Sequence, residues 1–126
     1  MCLASCQLGG SSIAVPDICR APVAPVPLIN KADGIMAVPS QGKVLYKCTP
    51  AHNRATVNPV SMLDTAGVGL GVRVPLVMGP AYYTSSGKKV ILGGALSVRL
   101  TDQQNQNGGN ARGFRVIPSQ YNILHM

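Results

Sequence analysis

The chain of 126 residues contains no Trp, no Glu and a single Phe, Phe114. Aromatics make up 4% of the residues although 46% are hydrophobic, so a core has to be assembled from Val, Leu, Ile, Ala and Met. Small side chains require backbones to approach closely. Long helices are excluded for a separate reason. Fourteen Gly and ten Pro interrupt the chain so often that no window of about 12 residues keeps a helical apolar period. Nor is there a run approaching the roughly 18 apolar residues that a membrane-spanning helix needs. Met1-Cys2-Leu3 leads into Gly9-Gly10-Ser11-Ser12 without the apolar stretch of a cleavable signal, which implies a chain that is cytoplasmic at synthesis.

Acidic residues are scarce. Eleven Lys and Arg stand against four Asp, giving a formal net charge of +7 and a pI near 9.6. Such a surface suits an anionic partner. The basic residues are strewn singly, with Lys88-Lys89 as the one adjacent pair, and no aromatic stacking platform lies among them. That pattern argues against nucleic acid and for a solvated basic surface or an acidic protein partner. Catalysis is equally poorly supplied. Two His and four scattered Asp leave few general bases, and a Cys48–His52 couple lacks a third group to orient the imidazole, so no enzyme is expected. Four Cys in a cytoplasmic chain point to thiols or metal ligands before disulfides.

What the chain does contain is a repeat. Residues 42–56, GKVLYKCTPAHNRAT, and 87–102, GKKVILGGALSVRLTD, both open with Gly and Lys, run through apolar positions, turn at a small or polar pair and return. Lys43-Val44-Leu45-Tyr46 lies over Lys89-Val90-Ile91-Leu92, and Lys47-Cys48 over Gly93-Gly94. A truncated third copy, Asn122-Ile123-Leu124-His125, fits the strand half of the unit. No such unit can bury its apolar face alone, so the copies must lean on one another, and three of them make a prism.

Around the repeats the chain is irregular. Residues 1–40 read as a proline-punctuated approach, and Pro16, Pro22, Pro25 and Pro27 predict an extended segment that wraps without pairing as a ladder. Residues 67–79, GVGLGVRVPLVMG, alternate small and branched side chains as a tightly packed strand does, with Gly67, Gly69 and Gly71 permitting close approach. A phosphate loop is excluded there, because neither the full G-x-G-x-x-G spacing nor a Lys-Ser/Thr pair is present. Residues 103–113, QQNQNGGNARG, predict a polar, low-complexity surface loop with a tight turn at Asn107-Gly108, after which FRVIPSQYNILHM returns to strand. The fold expected is all-β: a small three-sided β-prism or cone of pseudo-threefold hairpins with long irregular loops, in a single domain over residues 1–126.

Pro16-Asp17-Ile18-Cys19, Lys43-Val44-Leu45, Pro50-Ala51-His52-Asn53 with Ala55-Thr56, Ala66-Gly67-Val68, Val77-Met78-Gly79-Pro80, Lys89-Val90-Ile91 and Ile117-Pro118-Ser119-Gln120 with Ile123-Leu124 occur in this order. In that order they resemble the PAAR-like proteins, which cap the trimeric spike of type VI secretion systems and related contractile injection machines. The eponymous Pro-Ala-Ala-Arg turn is degenerate: Pro50-Ala51 keeps its first half and Arg99 its last residue. The resemblance implies a structural spike tip, seated one per trimer on a VgrG-type spike. Such a tip aids membrane puncture, contacts the target membrane transiently and carries an effector cargo. It is assembled in the bacterial cytoplasm and then delivered outside or into a target cell.

The resemblance also implies one zinc near the apex, held by His and Cys. From Cys2, Cys6, Cys19, Cys48, His52 and His125 the preferred quartet is Cys6, Cys19, Cys48 and His52, and the rival reading is buried thiols with His52 hydrogen-bonded in its turn. Relatives that are toxins carry the toxic domain as an extension, and none is expected in a sequence ending at Met126. An effector-loading adaptor, and a small metal- or nucleic-acid-binding protein, are the alternative functions.

Overall fold

The computed structural model describes residues 1–20, 22, 24–39, 41–66 and 70–126. Among them the regular elements are β-strands and two single 3-10 turns, so the all-β expectation holds. Three two-stranded ribbons form one part of the molecule. Strand β4 (Leu45–Tyr46) pairs with β5 (Thr49–Pro50), and β8 (Ile91–Leu92) with β9 (Ala95–Leu96). The third ribbon joins the two ends of the chain, β1 (Cys2–Leu3) against β12 (Leu124–His125). Residues 1–6 are therefore the return half of the third repeat and not part of an irregular approach. The degenerate match of Ala4-Ser5-Cys6 to Ala51-His52-Asn53 concealed this in the sequence.

The ribbons close on one another around a pseudo-threefold axis. The amide of Ser5 donates to Val98, that of His52 to Ser5, and that of Val98 to His52, at 3.0, 3.0 and 3.3 Å. One residue to either side, single bridges join Ala4 to Arg99, Ala51 to Cys6 and Ser97 to Asn53 in the same cyclic order. Burial follows the symmetry too. Tyr46, Leu92 and His125 face inward from equivalent positions, and Tyr46 Oη lies 3.1 Å from His125 Nε2. Ala4, Cys6, Tyr46, Ala51 and Leu92 form the apolar cluster, with Val44, Val90 and Ile123 packed against it. Here the small-residue composition is used: bulk at Ala4 or Ala51, both essentially inaccessible, would push the ribbons apart.

The second part is a six-stranded antiparallel sheet, which the repeat did not foretell. Its order is β3 (Pro25–Asp33), β2 (Ser11–Arg20), β11 (Ala111–Arg115), β10 (Gln103–Gln106), β7 (Ala81–Tyr83), β6 (Val57–Asn58). Ser11–Arg20 and Pro25–Asp33 thus form a ladder, contrary to the expectation from their prolines. Pro16 falls in the register shift between Ala14 and Asp17, where a missing N–H interrupts no bond. Pro25 and Pro27 lie two apart on the edge strand, so both turn the same side of the backbone outward.

Three more expectations are corrected. Residues 103–113 are not a surface loop but a hairpin inside the sheet, with Gln104, Gln106 and Asn107 fully buried. Its turn holds positive φ at Asn107, Gly108 and Gly109 (49°, 65° and 107°), a run that only Asn and Gly adopt cheaply. Residues 70–79 contain no strand. Gly71 makes one bridge, to Cys19, and the Asn110 side chain binds the amides of Arg73 and Val74 and the carbonyl of Val74, replacing a neighbouring strand. Close approach is nonetheless real at Gly71, where a Cβ would collide with Asn110. Gly67 and Gly69 lie outside the described residues. Residues 116–123, expected as strand, connect β11 to β12 without regular structure.

The two tight ribbon turns differ in cost. Gly93-Gly94 and Lys47-Cys48 both take positive φ (59° and 85°, 50° and 62°), but only the glycines do so without a Cβ penalty. Replacing Lys47-Cys48 by Asn-Gly is expected to stabilise the fold by about 1 kcal/mol, and Gly94→Val to destabilise it by about as much. Thermal denaturation of the two variants should therefore shift in opposite directions.

Candidate docking ring and metal site

At the ring, the side chains at the three equivalent axial positions are Ser5, His52 and Val98, all buried. Ser5 Oγ lies 3.1 Å from His52 Nδ1. Burial, and secondly the positive charge of Arg115, push the His52 pKa down to about 3, so the imidazole is neutral at physiological pH. The Arg115 guanidinium is itself buried, donating to Tyr83 Oη at 2.8 Å and to the Gly9 carbonyl at 2.7 Å, and it ties the sheet to the start of β2.

The outward-facing residues of the ribbons obey the same symmetry. Leu45, Ile91 and Leu124 occupy equivalent positions and are 55%, 65% and 53% exposed. The outer edges of β1, β5 and β9 accept from the amides of Leu100, Gln7 and Arg54, and among the described residues those of β12, β4 and β8 stay open at Leu124, Leu45 and Ile91. Around this apolar, threefold-related surface the charge is one-sided. Asp17 and Asp64 are inaccessible, Asp102 is buried against Arg99, and Asp33 is half-buried beside Lys31. Lys43, Lys47, Arg54, Lys88 and Lys89 are exposed.

The second site lies where β2, β3, the segment after β6 and the β10–β11 turn meet. Asp17, Cys19 and Asp64 bring their ligand atoms within 4.8 Å of one another, all three buried, and form a group that can hold a metal ion. Alternation along β2 points Asp17 and Cys19 to the same side. Asp17 Oδ2 accepts from Asn30 Nδ2 at 2.8 Å and from Asn107 Nδ2 at 3.0 Å, while its Oδ1 accepts from the Cys19 thiol at 3.7 Å. Asp64 accepts from the Met78 amide at 3.0 Å. Burial, followed by the charges of Asp17 and Asp64, pushes the Cys19 thiol up to about 11. Burial likewise raises Asp64, against the Met78 amide bond that lowers it.

The four residues favoured from the sequence are distributed as follows. Cys6 is in the ring, its amide donating to Ser119 Oγ at 2.9 Å, and His52 lies on the axis. Cys48 is exposed in the β4–β5 turn. Cys19 sits in the sheet, with carboxylates as its neighbours. Sequence reasoning passed over Asp17 and Asp64 because their spacing along the chain carries no ligand motif. The one available signal was Asp17-Ile18-Cys19 itself, an alternation that a strand reading would have placed on one face.

The family model described as the toxin PAAR-like domain matches residues 10–113. The chain belongs to that family, whose members have a spike-tip or effector-associated role. No curated protein and no solved structure matches it.

The neutral His52 makes stability pH-dependent. Its folded pKa of about 3 lies below the ordinary 6.5, so the unfolded chain takes up a proton that the folded chain refuses. The contribution is complete above pH 6.5 and is lost as pH falls toward 3, at about 1.4 kcal/mol per pH unit. His52→Gln is expected to flatten the urea-denaturation midpoint between pH 6 and pH 4 relative to the parent, to about the extent of one titrating group.

Proposed function

We propose that the chain is a structural spike tip that seats, one copy per trimer, on the blunt end of a VgrG-type spike of a contractile injection system. There it sharpens the spike for membrane puncture. One observation carries the reading: a single polypeptide builds three equivalent ribbons closed by a cyclic hydrogen-bond ring. A monomer gains nothing from threefold symmetry of its own unless it meets a threefold object, since a symmetric partner offers the same patch three times. Leu45, Ile91 and Leu124 supply three equivalent apolar contacts, and the open ribbon edges supply main-chain pairing of the strand-addition kind.

The charge distribution favours a second, compatible role. With every Asp buried or paired and eight Lys and Arg exposed, the surface suits an acidic effector or an acidic rim on the spike. The role proposed is mechanical and recognitive and not catalytic. Among the described residues no helix is long and apolar enough to cross a membrane, so contact with a target membrane is assigned to the moment of puncture.

Native mass spectra of the chain mixed with a trimeric spike protein from the same source are expected to show one copy on three spike chains. Because Leu45, Ile91 and Leu124 are exposed, single Asp substitutions should leave stability within about 0.5 kcal/mol. Each should weaken the complex by about tenfold or more. A chain that stays free at micromolar spike concentration, or three substitutions that leave the complex intact, would contradict the proposal.

A further inference from the structure

Two wholly buried carboxylates lie beside a buried thiol, and neither carboxylate has a Lys or Arg partner among the described residues. Placing two such groups together away from water is unfavourable unless a proton or a cation divides the charge. A second observation at the same place concerns Asn30. Its side chain is inaccessible, and its Nδ2 is held against Asp17 Oδ2 at 2.8 Å. The oxygen of that same carboxamide has no hydrogen-bond partner among the described residues. The unpartnered oxygen thus belongs to a side chain already in contact with the cluster, and a cation there would give it a partner.

We infer that Asp17, Cys19 and Asp64, with the Asn30 amide oxygen, form a binding site for one divalent cation of the zinc class. The thiol excludes the hard cations Mg²⁺ and Ca²⁺ as preferred occupants, and the two carboxylates balance the charge of a dication. On binding, the S–H bond of Cys19 breaks, a metal–sulfur bond forms, and the proton leaves to solvent. The ligands come from β2, β3 and the segment after β6, so the ion would fasten three stretches of chain far apart in sequence. Asn107, reaching Asp17 from the β10–β11 turn at 3.0 Å, orients the carboxylate from outside. The resemblance implied histidine and cysteine ligands. Here the neighbours of Cys19 are carboxylates and an amide.

The full chain, treated with chelator and titrated with Co²⁺ as a probe, tests the assignment. One equivalent should bind with the near-ultraviolet charge-transfer absorption of a cobalt–thiolate bond, release about one proton and raise the melting temperature. Cys19→Ser should abolish the sulfur band. Asp64→Asn, which keeps the shape of the side chain, should keep the band and lower affinity at least tenfold. Cys6→Ser and Cys48→Ser should leave both unchanged, with circular dichroism matching the parent in each variant compared. If Cys19→Ser does not fold, the Asp64→Asn affinity and the two cysteine controls decide. The assignment is overturned by a chain that binds no Co²⁺, by a band surviving in folded Cys19→Ser, or by an unchanged affinity in Asp64→Asn. A band lost in folded Cys6→Ser or Cys48→Ser also overturns it. Spike binding is measured separately, so failure here leaves the tip proposal standing.

Discussion

Three backbone hydrogen bonds, Ser5 to Val98, His52 to Ser5 and Val98 to His52, close a ring on which the rest of the molecule depends. Each is worth only about 0.5–1.5 kcal/mol net, yet buried amides at these positions have nowhere else to go. The ring dictates that small residues flank it, that the ribbon turns diverge from one axis, and that both ends of the chain come together in β1 and β12. It also separates the molecule into two regions of different chemistry. The ribbons pack on aliphatic side chains, whereas the inner face of the sheet is lined by Arg115, Gln104, Gln106, Asn30, Asn58 and Asp17, all essentially inaccessible.

That contrast explains how the parts are used. The docking proposed for the ribbons calls for a symmetric and tolerant surface, and the exposed aliphatics at the three ribbons suit it with no fixed polar register. The region where β2, β3 and the β10–β11 turn meet buries mainly polar side chains. Its residues are fixed by polar side chains: Asn107 joins Asp17 to the Gly79 amide, and Asn110 holds Arg73 and Val74. A buried polar network is stabilising only when complete, so the cluster around Asp17 and Cys19 is where a ligand would matter most.

Much of the ribbon region was legible in the sequence, because the Lys-Val-Leu-Tyr and Lys-Val-Ile-Leu strands repeat with their turns in register. The third copy was half legible: Asn122-Ile123-Leu124-His125 resembles its mates, but Ala4-Ser5-Cys6 shares little beyond size with Ala51-His52-Asn53. Of the sheet, only Phe114-Arg115 at the end of β11 fell within an expected strand. Its central hairpin hides among amides, since Gln104 and Gln106 alternate inward without any apolar signature, and its long edge hides among prolines whose missing donors happen to face outward. Of the residues at the candidate metal site, Cys19 announced itself as a cysteine. Asp17, Asp64 and Asn30 become neighbours only when β2, β3 and the segment after β6 are folded against each other.

Amide hydrogen exchange of the free chain tests the role of the ring most directly. If the ring holds the fold, the amides of Ser5, His52 and Val98 share one protection factor, equal to that for global unfolding, although they lie in three distant parts of the sequence. If Ser5 exchanges quickly while His52 and Val98 remain protected, the third ribbon frays independently. The molecule would then be a two-hairpin structure without a closed threefold ring, and the account would fail.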